Sequence, residues 1–435
     1  MNSQRIVVVG NEYSSAAVFY YLEKYLTRAS KPFDLLFISN KNYYFFDGLL
    51  SEYLCDTLNQ NEICQDLRSL YLLRPGISYL QTPELSINFD LKTVKTTKGN
   101  IDYKYLVIAL ENDIEESVSR IQLANHLNCF NFDTPQNVIK LKKHIINNIE
   151  KASSEQNKEI KNILLAFSVI GETSSEINLA CAVSDYINNL LKRSYPELNK
   201  SLLKVNLIAK KDLIVGKKCP FYNSRLFYNL NEKKITIYSN SVITQVQGSS
   251  IEINNDKYID SGTIIFSNKP GGSFCINDLP FKRNNLSQWC TDLYLRADGY
   301  DDVFIVGKSS QCLDLSEDIS KTIVFYNQQA KICASNVLST INNNPLKPLK
   351  SSFEIDFFQL GYRDTLVAVK DFYFSGFIGW LFYRLIFILS FLGWKKQLRA
   401  FVSLLLSILG LKENEILDIY ETSEEKTRKK LKVGS

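Results

Sequence analysis

Apolar residues in this chain fall into short runs that stop at a glycine or a polar break, alternating with stretches whose apolar positions recur at helical spacing. Residues 6–9 are continuously apolar and stop at Gly10. Asn11 to Ser15 read as a tight turn, and from residue 16 to 26 the positions Ala17, Tyr20, Tyr21 and Lys24 are a helical turn apart. Further strands are predicted at residues 34–38, in short pieces over 80–100 with a turn at Lys98-Gly99-Asn100, and at 105–109. A charged helix and polar linker over 135–160, its linker from Lys151 to Lys158, predict a domain boundary. Strands at 163–169, a helix from Ile177, and strands at 203–208, 235–238, 241–246, 251–253, 263–267 and 303–308 follow, then a helical stretch over 323–330. Strands alternating with helices in this way predict an α/β fold.

The pattern changes at the C-terminal end. Residues 377–394 are apolar apart from Arg384 and a few hydroxyls. After Lys395-Lys396 a second helix places Leu398, Phe401, Val402, Leu405, Ile408 and Leu409 on one face and Lys396, Arg399, Ser403 and Ser407 on the other. An apolar stripe beside a basic edge suits a helix lying in a membrane surface. A buried core hairpin and a single membrane span are the alternatives. Eighteen residues is near the lower limit for spanning, and an arginine at mid-segment argues against it. The tail after Glu413 is charged and reads as frayed.

At 435 residues the chain has room for two or three domains with full cores. Its net charge of +5 gives no argument for nucleic acid. Nine cysteines, at 55, 64, 129, 181, 219, 275, 290, 312 and 333, are scattered without a C-x-x-C pair, as in a reducing, cytosolic setting. With His126 and His144 as the two histidines, a His-based metal site or catalytic triad is not expected. The chain starts in a strand, with no signal peptide read before it.

Strand, glycine turn and helix form the opening of a dinucleotide-binding unit, in which the helix N-terminus offers N–H groups and a positive dipole end to a diphosphate. A full G-x-G-x-x-G would have glycine at 10, 12 and 15; the chain has Gly10, Glu12 and Ser15. The acid expected after the second strand for a ribose is Ser39. A second such turn follows residue 169, its three glycine positions reading Val169, Gly171 and Ser174, with Glu176 in the first helical turn. An acid there also suits the helix dipole with no further role. The next strand ends in Ala209, Lys210 and Lys211 where a ribose acid would stand.

The run Asn42-Tyr43-Tyr44-Phe45-Phe46-Asp47-Gly48-Leu49-Leu50-Ser51-Glu52 reads by itself as aromatic core. In its place after the second strand it resembles the type II NADH dehydrogenase family, through Asn42, Tyr43, Phe46, Leu49, Leu50 and Glu52. The resemblance covers about residues 5–410 and rests on the order and spacing of motifs. Tyr105 to Ala109 matches the strand ending in A-T-G, with Leu110-Glu111 in place of Thr-Gly. Asn268-Lys269-Pro270-Gly271-Gly272 loosely matches an Ala-Gly site. Val303 to Lys308 matches the strand ending in Gly-Asp, with Lys308 for the aspartate. Gln328 matches a glutamine of the quinone-side helix.

The resemblance implies a membrane-attached flavoprotein passing electrons from NADH or NADPH through FAD to a quinone. It implies two Rossmann-like dinucleotide-binding domains, one inserted in the other. Their expected limits are 1–150 and 276–345 for the FAD-type domain and 151–275 for the NAD(P)-type domain. A C-terminal helical membrane-anchoring region, 346–412, and a charged tail, 413–435, follow. By the same resemblance Gly10, Ser15, Ser39, Tyr43, Ala109, Gly307 and Lys308 lie along FAD, and Gly171 and Ser174 along the nicotinamide nucleotide. Glu176 and Gln328 lie beside the reacting groups, the protein sits peripherally on the cytoplasmic face, and a homodimer forms. Replacement of so many phosphate- and ribose-contacting positions leaves a second reading open: a pseudo-enzyme that keeps the fold and membrane tail and serves as a binding or scaffold protein.

Overall fold

The computed structural model describes residues 5–28, 33–70, 76–110, 128–211, 220–267, 279–284, 288–315, 321–350 and 355–411. Strands β1 (Arg5–Gly10), β2 (Asp34–Ser39), β3 (Ile77–Gln81) and β4 (Tyr105–Ala109) begin a parallel sheet, with helix α1 (Tyr13–Arg28) crossing between β1 and β2. Alternation along β1 puts Ile6 and Val8 on one face and Val7 and Val9 on the other, and all four are fully buried. The first face packs on Phe19 and Leu22 of α1; the second packs with Leu106, Ile108, Leu85 and Val94. Burial on both faces is what a continuous apolar run without alternation requires of a parallel strand.

The chain then builds a second sheet from β5 (Cys129–Asn131), β6 (Ala166–Ile170), β7 (Lys204–Ile208), β8 (Ile235–Tyr238) and β9 (Thr263–Phe266). Helices α2 (Pro135–Ser154) and α3 (Ser174–Arg193) pack with it. Strand β10 (Val303–Ile305) returns to the first sheet, and helix α4 (Ile323–Asn342) lies against α1, with Tyr21 Oη donating to Asn327 Oδ1 at 2.8 Å. The spatial orders are β10-β4-β1-β2-β3 and β5-β9-β6-β7-β8, parallel throughout. The second sheet is thus inserted between β4 and β10 of the first.

The insert begins earlier than residue 151. Strand β5 pairs with β9, and Thr134 caps α2 by accepting from Asn137 N, with Pro135 at the first helical position. A three-residue strand gives too little pattern to read, and the polar linker is helical on both sides of residues 155–157. Lys142 of α2 is nearly fully buried. Its Nζ pairs with Asp56 at 2.5 Å and stands 4.4 Å over the Tyr53 ring, joining the insert to the first unit. The second apparent strand also starts late, at Ala166, because residues 158–164 are helical. The other expected limit, at 275, and the tail lie outside the described residues, as do Glu111, His126, Cys219, Cys275 and the Asn268–Gly272 site.

The C-terminal region is not wholly helical. It opens with an antiparallel sheet of β11 (Ile355–Gly361), β12 (Asp364–Val369) and β13 (Phe372–Phe374), followed by α5 (Phe377–Ser390) and α6 (Trp394–Ile408). Among the described residues no helix is long and apolar enough to cross a membrane. Arg384 points inward, its Nη1 3.7 Å from the buried Glu52 carboxylate, which also accepts from Trp380 Nε1 at 2.6 Å. Helix α6 is turned against the usual rule. Several of its polar groups face the protein, where Ser403 Oγ donates to Glu62, Lys396 Nζ donates to Asn61 O, and Ser407 O accepts from Arg363 Nη2 at 2.6 Å, while Lys395 and Arg399 stay exposed. Trp394, Leu398, Phe401, Val402, Leu405 and Leu409 are exposed.

Candidate functional site

Strand β1 ends beside the end of β4, with Gly10 opposite Ala109. A Cβ at residue 10 would lie 2.3 Å from Ala109 O and 2.5 Å from Ser15 Cβ, so only glycine lets α1 start this close to the sheet. Ser15 closes the first turn of α1 from within: its Oγ accepts from Glu12 N at 3.2 Å and donates to Glu12 O at 2.7 Å. Gly307, at the end of β10, has φ +90°, and a Cβ there would meet Ser14 at 3.1 Å. The Gly307 N–H donates to Gln329 Oε1 at 2.8 Å, and Gln329 Nε2 donates to Ser310 Oγ at 2.9 Å. These contacts fix Lys308 against the start of α1.

A cleft of about 550 Å³ opens there, at the carboxyl ends of both parallel sheets. In open α/β sheets this is where ligands bind. Its walls come from the β1–α1 turn, the aromatic run 45–51, the start of α3, the start of α4, β11 and α5. The phenol of Tyr13 and the amide of Asn11 line it, both at least nine-tenths buried, and Tyr13 Oη and Asn11 Oδ1 have no hydrogen-bond partner. Burial pushes the Tyr13 hydroxyl well above the usual phenol range. Across the cleft, Lys308 Nζ donates to Asp47 Oδ2 at 2.7 Å and stands 3.4 Å from Glu12 Oε1. Burial raises the pKa of Asp133, a further carboxyl of the lining. Tyr383 and Phe387 bring α5 to the cleft: Tyr383 Oη donates to Gly48 O at 2.5 Å, and the Phe387 ring meets Phe46 edge-on at 5.2 Å.

The second glycine turn reaches the same cleft through Ser174, Ser175 and Asn178. Gly171 has φ +143° and packs under the Glu176 side chain. Glu176 itself folds back as the cap of α3: it accepts from Thr173 N at 3.0 Å and from Thr173 Oγ1. Glu172 turns the other way, its Oε2 accepting from Lys210 N at 3.1 Å at the end of β7.

Of the residues singled out in the sequence, Lys308 and Ser174 line the cleft, and Gly10, Ser15, Ala109, Gly307 and Gly171 form the turns that shape it. Four are engaged elsewhere. Glu176 is the α3 cap, and Gln328 Nε2 donates to Lys350 O at 3.2 Å outside the cleft lining. Ser39 is fully buried and accepts from Lys41 N at 3.3 Å. Tyr43 Oη is held by the Gln136 amide at about 3 Å. Asn11, Tyr13, Lys321, Tyr326 and Tyr383 were not legible as lining, since nothing in their spacing separates them from core or loop. Among the described residues no group of three His, Cys, Asp or Glu side chains could hold a metal ion.

No protein-family model matches the chain. It is 22% identical over 403 residues to a Dictyostelium discoideum protein named "Probable NADH dehydrogenase", covering 88% of this chain and 85% of that one. It is 21% identical over 378 residues to a type II NADH:quinone oxidoreductase of Staphylococcus aureus, covering 85% and 90%. The fold superposes on a structure of NDH2 from Plasmodium falciparum in complex with NADH with a TM-score of 0.74 and 16% identity, over 95% of this chain and 99% of that one. The chain is thus similar over most of its length to type II NADH dehydrogenases and shares the fold of the Plasmodium falciparum protein.

Proposed function

We propose that the cleft holds a flavin dinucleotide and that the protein passes electrons from a nicotinamide nucleotide to a quinone at a membrane surface. The observation that carries this reading is the cleft itself. It lies at the carboxyl ends of two parallel sheets, is lined from both, and presents four buried polar atoms, Asn11 Oδ1, Tyr13 Oη, Asn178 Oδ1 and Thr322 Oγ1, that lack a partner. Buried polar groups without partners are uncommon, and a set of them lining one cavity fits a polar ligand. The cavity volume falls in the range of cofactor clefts, about 300–1,000 Å³. Asn11, Tyr13 and Lys308 would hold the dinucleotide end, with Gly10 and Gly307 letting the backbone come close. Phe46, Tyr383 and Phe387 would border the ring system and exclude water. When bound, the flavin would supply hydride acceptance and one-electron release.

The inverted helix α6 supports attachment to a membrane surface. Lys396, Ser403 and Ser407 are taken up by the protein, and most of its large apolar side chains are left outside beside the exposed Lys395 and Arg399. Tyr383 and Phe387 tie the preceding helix to the cleft, so an acceptor arriving from the lipid side would meet the site there.

One observation favours the alternative of a pseudo-enzyme that acts as a membrane-associated binding or scaffold protein. Lys308 pairs with both Glu12 and Asp47 across the cleft, so its cation is already met by internal carboxylates. The two readings part on turnover. Purified protein reconstituted with FAD should oxidise NADH or NADPH and reduce a short-chain quinone in vesicles. Absence of turnover together with absence of flavin binding would establish the scaffold reading.

A further inference from the structure

We propose that Lys308 is the phosphate-contacting group of this cleft, and that Glu12 and Asp47 serve it as an internal anion that an incoming diphosphate displaces. The inference rests on the flavin-dinucleotide reading above and adds to it the group that meets the phosphates and the contact that competes with them.

The three side chains come from three separate segments: the turn between β1 and α1, the aromatic run, and the loop after β10. They meet at the cleft wall, with side-chain exposures of 13% for Glu12, 43% for Asp47 and 28% for Lys308. Glu12 stands at the start of α1, where the dipole and the first N–H groups attract negative charge. A carboxylate there takes the place of an external anion, and Lys308 completes its neutralisation at 3.4 Å.

The arrangement is self-satisfied but not closed. Asp47 makes the shorter contact, 2.7 Å, yet is the most exposed of the three, and exposed ion pairs are weakly held. The diphosphate of FAD carries one negative charge per phosphate, as many as Glu12 and Asp47 together, so it can take over both of their contacts to Lys308. Beside the triad, Asn11 Oδ1 and Tyr13 Oη remain buried and unpartnered, so internal contacts satisfy the cation while leaving neighbouring polar atoms of the same cleft unmet. A ligand that displaces Glu12 and Asp47 from Lys308 and also bonds these atoms completes the site. Lys308 therefore recognises the phosphates, and Glu12 and Asp47 set how tightly.

The test compares FAD with riboflavin, which has the same ring system and no phosphate. Both are titrated by fluorescence quenching against the full chain and against Lys308→Met, Lys308→Arg, Glu12→Gln and Asp47→Asn, with circular dichroism to confirm folding. Lys308→Met should weaken FAD binding by about tenfold or more, the scale of a lost charge-assisted hydrogen bond, and leave riboflavin unchanged. Lys308→Arg should retain FAD binding. Glu12→Gln and Asp47→Asn should each tighten FAD binding several-fold without affecting riboflavin. Parallel changes in FAD and riboflavin, or weaker FAD binding in either carboxylate variant, would overturn the proposal. Wild-type protein that binds riboflavin as tightly as FAD would overturn it and leave the flavin reading standing. Protein that binds neither would overturn both.

Discussion

At the scale of single residues, the positions that shape the cleft are set by steric contact more than by charge. Gly10 has a carbonyl on one side and the Ser15 side chain on the other, and neither can withdraw without moving β4 or α1. Gly10→Ala should lower stability by about 1–3 kcal/mol through overpacking, read as a lower urea midpoint. An unchanged midpoint would mean that the helix start is looser than its contacts indicate. His144 tests burial on the inserted unit. Its Nε2 lies 3.1 Å from Thr263 Oγ1, and burial lowers its pKa below the ordinary value of 6.5. A folded-state pKa below the unfolded one gives stability that is fully present above about pH 6.5 and is lost as the pH falls toward the lowered value. Thermal midpoints measured from pH 8 to 5 should therefore fall below pH 6.5, and His144→Gln should flatten that fall. Equal slopes in the two proteins would assign the acid sensitivity elsewhere.

At the scale of elements, α6 is the most informative. Its apolar stripe was legible from spacing, and so was its basic and hydroxyl face. Which face meets the protein was not legible, because partners as remote as Glu62, Asn61 and Arg363 decide it. Replacing Phe401 and Leu405 together with aspartate should reduce co-sedimentation with anionic vesicles several-fold while leaving the far-ultraviolet spectrum unchanged. Undiminished co-sedimentation would place membrane contact on another surface. The same limit applied to Arg384. In the sequence it counted against a membrane span; in the fold it is buried beside Glu52, with burial lowering its pKa. The antiparallel sheet β11–β13 was missed, since its strands are buried on both faces along much of their length and lack clean alternation.

At the scale of the whole molecule, the paired parallel sheets were legible because each strand is a short apolar run ending at a turn, and the order of motifs carried the insertion. Its starting point was not legible, because β5 has only three residues and gains its identity by pairing with β9, far along the chain. The site was legible as a place but only partly as residues. Lys308, singled out by its match to a strand ending in Gly-Asp, lines the cleft. Gln328 came from its match to the quinone-side helix of the resembled family, and that match carried no sign that its neighbour Gln329 is the one bonded to Gly307. Glu176 serves the helix that carries it, a role its place in the first turn allowed from the start.

The central claim is that a cleft with altered phosphate and ribose contacts still holds a flavin dinucleotide. The visible absorption spectrum of protein extracted gently from membranes tests it most directly. A flavin spectrum that bleaches when NADH is added is the expected result. Protein that is colourless as isolated, and stays so after incubation with FAD, would contradict it and would make the pairing of Lys308 with Glu12 and Asp47 the end state of the site.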